Sequence, residues 1–271
     1  GGDAPLWTDT ITTPESLIAS SVDDISRGFA EQLGSRRGPL HKQAMTTLAG
    51  VESLGGLESD YACELLFALW RDTQSRTDML RAAACIEGLL RRHDTARGHA
   101  MSAAMAVEQL LYDEVPTALD HSKWTEIEAV FGDAIDALPT SGFVWELYGR
   151  YLDARGRTEA AKNAYLSALQ LNPANLDAKA AYGRMLLLAG PSEHGLQLAR
   201  EALLREPAAP PWYHLSLAVQ ALRDGDDVQA LVQASLVQQS DTELASVIST
   251  VAARRQNAET TLNRSLAELV E

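Results

Sequence analysis

A chain of 271 residues with 46% hydrophobic content is long enough to bury a sizeable core in one or two domains. Its net charge of −14 repels phosphate backbones, which disfavours direct contact with nucleic acid. Its longest apolar runs, such as MLLLA at 185–189, are too short to cross a bilayer, so any membrane attachment would run through parts outside this chain. Aromatics are only 6%, and apolar residues recur at spacings of three and four, which predicts an all-α fold.

In chain order, PLWTDTIT at 5–12 alternates like a short strand. Thr13-Pro14 then opens a helix whose Leu17, Ile18, Val22, Ile25, Phe29 and Leu33 form one apolar face. The strand has no evident partner, and the first residue is glycine with no signal peptide after it. Residues 1–56 are therefore expected to be a helical segment that extends or remains from an upstream module. The next hairpin is predicted from 60–71 and 77–92, with Thr77 as the cap of its second helix. A turn centred at 74 brings together residues whose numbers sum to 148, and Cys63 and Cys85 do. They are expected to face each other, either as a disulfide or as two buried thiols acting as small hydrophobes. Helices at 98–112 and 120–139 follow.

The clearest signal lies in GRYLDARGRTEAAKNAYLSALQLNP, residues 149–173: a helix, a break at Gly156, and a second helix ended by Pro173. A step of 34 residues carries Pro173 to Pro207 and back to Pro139, Gly149 to Gly183, Tyr148 to Tyr182, and Ala168 to Ala202 and Ala134. With one residue inserted near Pro210-Pro211, the register continues to Ala218, Gly225 and Ala230. Two more helices are expected at 241–254 and 257–270. Charge follows these segments: residues 43–140 carry sixteen acids against seven Lys and Arg, whereas 141–209 carry seven against eight.

Trp145, Gly149, Ala161, Tyr165, Ala168 and Pro173, with Gly183 and Pro207 one step on, resemble the pattern of the tetratricopeptide repeat. The resemblance implies a right-handed α-solenoid of antiparallel helix hairpins. Residues 57–140 then read as degenerate units, 141–240 as well-formed units and 241–271 as capping helices. More loosely, DYACELLFALWR, RAAACIEGLL and PPWYHLSLAVQALRDGD resemble the repeat-bearing regulatory region of bacterial membrane-linked signalling proteins. In those a winged-helix or nucleotide cyclase domain precedes the repeats. Neither domain is present here, so the resemblance implies a regulatory role only, in the bacterial cytoplasm or periplasm.

In this family positions 2, 5, 9 and 12 of each unit face a concave groove. Here they are Phe143, Glu146, Arg150 and Asp153; then Asp177, Ala180, Arg184 and Leu187; then Trp212, Leu215, Val219 and Leu222. Arg150 and Arg184, one repeat apart, would stack as a basic ladder, and Trp212, Leu215 and Val219 would form an apolar floor for a protein or peptide partner. The competing expectation is that the arginines pair with Glu146, Asp153 or Asp177. A small-molecule pocket among Trp145, Tyr148, Tyr182 and Trp212 and a homodimer through the Phe29 face are further readings. No cofactor or metal is implied. Six scattered histidines, no HExxH, no GxSxG and no Gly-rich phosphate loop imply no catalytic residues.

Overall fold

The computed structural model describes residues 38–49, 59–112, 118–206, 209–237 and 242–256. All regular structure among them is helical: α1 (Pro39–Ala49), α2 (Asp60–Thr73), α3 (Arg76–Arg92), α4 (Ala96–Tyr112), α5 (Ala118–Ala137) and α6 (Gly142–Ala154) come first. Then follow α7 (Thr158–Leu171), α8 (Leu176–Ala189), α9 (Glu193–Arg205), a 3-10 turn (Pro211–His214), α10 (Leu215–Asp224), α11 (Asp227–Ser235) and α12 (Thr242–Arg255). The expected strand at 5–12, the helices at 14–33 and 257–270, and Pro207 lie outside the described residues.

Local chemistry explains the boundaries. Ser59, Ser75, Ser141, Asn175, Ser192 and Asp226 each precede a helix and accept a hydrogen bond from a backbone amide in its first turn. Thr77 is not the cap of α3. Ser75 holds that place because its Oγ accepts from the Asp78 amide at 3.1 Å and also donates to the Asp78 carboxylate at 2.7 Å. The α6–α7 turn uses Gly156 at φ +67°, a backbone region that L side chains rarely enter. At the α2–α3 turn Gln74 adopts a left-handed conformation, φ 52°. Cys63 and Cys85 form a disulfide across α2 and α3, with Cα atoms 5.4 Å apart.

Packing proceeds in sequential pairs: α2 with α3, α4 with α5, α6 with α7, α8 with α9, and α10 with α11. The first helices also touch one another in succession, α2 to α4, α4 to α6, α6 to α8, α8 to α10 and α10 to α12. They form one continuous row of contacts, and each second helix also packs on the first helix of the next pair. Gly149 shows why one pair sits so close. A Cβ there would meet the Tyr165 ring at 2.9 Å, so only hydrogen lets the α7 aromatic lie flat on α6. In the next pair Gly183 and Gly195 face each other, and a Cβ on Gly183 would lie 2.7 Å from the Gly195 carbonyl. Gly195 stands one 34-residue step after Ala161, so the small residue keeps its repeat position and α8 and α9 achieve backbone contact. Ala161, Tyr165 and Ala168 are fully buried, and the Tyr165 ring stacks on Tyr182 of the next pair. No helix among the described residues is long and apolar enough to cross a membrane.

Candidate functional site

The positions expected to face a groove lie along the row of first helices, and most of them are buried. Phe143 of α6 packs edge-on to Phe67 of α2, ring centroids 6.2 Å apart, and carries the Arg97 guanidinium 5.5 Å from its centroid. Asp177 of α8 is buried and accepts a hydrogen bond from the Tyr213 hydroxyl at 2.8 Å. Leu215 and Val219 of α10 belong to the core, as do Ala180 and Leu187 of α8.

Glu146 anchors the centre. It is completely buried, and its carboxylate accepts from Arg71 Nη2 at 2.8 Å, from Arg71 Nη1 at 3.4 Å and from Arg150 Nε at 3.1 Å. A carboxylate removed from water is tolerated only with partners of this kind, and two guanidinium groups supply them. Of the two sequence expectations for Arg150, pairing with Glu146 is the arrangement present. Its guanidinium also lies 4.6 Å from the centroid of Trp212, and that of Arg184 lies 6.0 Å away. Trp212, 5% exposed, therefore sits on both members of the basic ladder.

The electrostatics of this seam reflect dehydration. Burial pulls the Arg150 guanidinium below its usual value, helped by the neighbouring Arg71 charge and opposed by Glu146. Burial pushes the Asp153 carboxyl up, against the attraction of Arg184 and Arg150. Burial, and then the Asp153 charge, also raises the Tyr165 hydroxyl. Arg150 Nη2 and the Tyr165 hydroxyl are both buried without a hydrogen-bond partner.

Arg71, Phe67 and Tyr213 belong to this site and were not singled out by sequence. Tyr213 follows Trp212 directly, but Arg71 stands 75 residues from Glu146, and no local pattern ties the two together. The aromatic residues expected to frame a small-molecule pocket are dispersed instead. Tyr148 stacks on Tyr151 and contacts Trp145, Tyr182 lies against Tyr165 and His194, and Trp212 covers the arginines. Trp145 donates its indole N–H to the Pro139 carbonyl at 3.0 Å. A separate cleft of about 940 Å³ opens between the α2–α3 turn, α4 and α5, walled by Trp70, Met79, Ala106 and Ile127 and rimmed by His99 and Lys123. Among the described residues, no group of three His, Cys, Asp or Glu side chains is placed to hold a metal ion.

No family model matches the chain, and no curated protein matches it.

Proposed function

We propose that this chain is a non-catalytic, right-handed α-solenoid of tetratricopeptide type that binds a protein or peptide along its first-helix face. On this reading it serves as the regulatory part of a bacterial signalling or transcription-regulating protein. The observation that carries the reading is the continuous row of first helices, with Arg150 and Arg184 set one repeat apart in it. The glycine-to-aromatic fit between Gly149 and Tyr165 supports the repeat assignment. A layer of parallel first helices offers a partner many side chains at regular spacing, which suits an extended peptide or a single helix.

The test is affinity capture from the native lysate, read by mass spectrometry. Wild type is compared with an Arg150→Ala, Arg184→Ala variant shown to be folded by circular dichroism. A partner retained by wild type and depleted about tenfold or more in the variant, a loss of roughly 1.4 kcal/mol, supports the reading. Equal capture by both would refute recognition through this face. A second reading, small-molecule sensing, is favoured by the 940 Å³ cleft, whose apolar walls and polar rim match the size and make-up of ligand pockets. Under it, an apolar ligand copurifies with the chain and is displaced by Ala106→Trp.

A further inference from the structure

In a stack of helix pairs each pair ordinarily touches only its neighbours. Among the described residues, contacts on the first-helix side skip a pair. Phe67 reaches Phe143, and Arg71 reaches Glu146, both passing over the α4–α5 pair. Trp212 reaches Arg150 over the α8–α9 pair. These contacts draw distant units together and shut the face at the place where Arg150 and Arg184 would meet a partner.

The shut arrangement is incompletely satisfied. Arg150 Nη2 and the Tyr165 hydroxyl remain buried without hydrogen-bond partners, and each such group carries a desolvation penalty. Trp212 stands in a four-residue 3-10 turn after Pro210, at a helix start that lacks a side-chain cap. The adjoining Tyr213 is fixed by its bond to Asp177. Withdrawal of the Trp212 side chain would uncover Arg150 and release the link from the start of α10 to α6, while the Tyr213–Asp177 bond keeps the turn on α8.

Building on the groove-binding reading, we propose that Trp212 is a latch. Its indole occupies the seat on Arg150 and Arg184 that a partner's side chain takes, and the first-helix face opens when the indole swings out. The partner chemistry that completes the seat is an apolar group in place of the indole, with a hydrogen-bond acceptor reaching Arg150 Nη2 and the Tyr165 hydroxyl. Affinity is then reduced by the fraction of molecules that are shut, and removing the latch restores it.

The test compares the 271-residue wild-type chain with Trp212→Ala by small-angle scattering and by the capture assay above. A compact chain of this length has a radius of gyration of about 18 Å, and the variant is expected to exceed wild type, with unchanged helical circular dichroism. It is also expected to capture the Arg150- and Arg184-dependent partner at least about threefold more strongly. An unchanged radius overturns the latch, and an unchanged radius with weaker capture makes Trp212 a contact residue instead. Expansion without stronger capture also overturns it. If no partner depends on Arg150 and Arg184, the groove reading itself fails and Trp212 is a structural clasp. Should Trp212→Ala not fold, Trp212→Leu, which keeps part of the apolar volume and loses the ring–cation attraction, is read by the same criteria.

Discussion

Replacing Glu146 with glutamine keeps the shape of the side chain and removes its charge from between two guanidinium groups. In the wild type those groups approach to 2.8 and 3.1 Å, in surroundings where Glu146 is wholly buried and Arg150 is 18% exposed. Each ion pair is worth about 4 kcal/mol gross at an effective dielectric near 20. Part of that is returned, because a buried carboxylate no longer has to be stripped of water. What remains is the cost of leaving buried cations uncompensated, about 3–5 kcal/mol. Against a total stability of about 5–15 kcal/mol this is a large fraction. With a urea m-value of about 3 kcal/mol/M, the unfolding midpoint by far-UV circular dichroism should fall by about 1–1.7 M. A companion experiment isolates the pair: Arg71→Met combined with Glu146→Leu should cost less than the sum of the two single changes by about 0.5–3 kcal/mol. A midpoint shift of under about 0.3 M for Glu146→Gln, corresponding to less than about 1 kcal/mol, would refute the claim that this carboxylate holds the seam together.

Three further outcomes are expected. Gly149→Ala places a methyl group against the fully buried Tyr165 ring, so overpacking of about 1–3 kcal/mol should outweigh a helix-propensity gain of about 1 kcal/mol; differential scanning calorimetry should show a lowered melting temperature. Reducing the Cys63–Cys85 bond, which spans 22 residues of sequence, should lower stability by about 3 kcal/mol through the freed unfolded chain. The Cys63→Ala, Cys85→Ala variant should then be insensitive to dithiothreitol in the same melt. Glu128 is held below the usual carboxylate range by its hydrogen bond from Arg157, with burial opposing and the Tyr151 hydroxyl assisting. The folded value is depressed, so its contribution is present above about pH 4.5 and lost as the pH falls through the folded value. Melts across this range should converge for wild type and Glu128→Gln at the acid end and separate above it.

The helices themselves were largely legible in the sequence. The pairs at 60–71 and 77–92, and at 149–173, announce themselves through three-and-four periodicity broken by Gly156 and Pro173, because both the periodicity and the breaks are local properties of the chain. The α3 cap is ambiguous in the sequence because Ser75 and Thr77 are both capping residue types, and only the position of Asp78 selects Ser75. The small-residue contact on α9 was visible as Gly195, but the sequence could not say that it would meet Gly183 face to face. The position rule of the repeat that the sequence resembles names the side of each first helix that is expected to line a groove. It does not say which side chains of distant pairs meet, and those meetings decide whether Glu146 and Trp212 are open or buried. That information resides in contacts such as Arg71 with Glu146, between residues far apart in the chain.

The disulfide between α2 and α3 gives the array a direction when it is pulled from its ends. Beyond Cys85, no covalent cross-link among the described residues restrains the later pairs, so each can release its full length of chain. Between Cys63 and Cys85 the bond bypasses the intervening segment. At about 3.6 Å per extended residue, some 75–80 Å of contour never enters the extension. The hairpin that holds Arg71 thus remains a short, covalently closed handle under tension, while the pairs that hold Glu146, Arg184 and Trp212 can lengthen away from it.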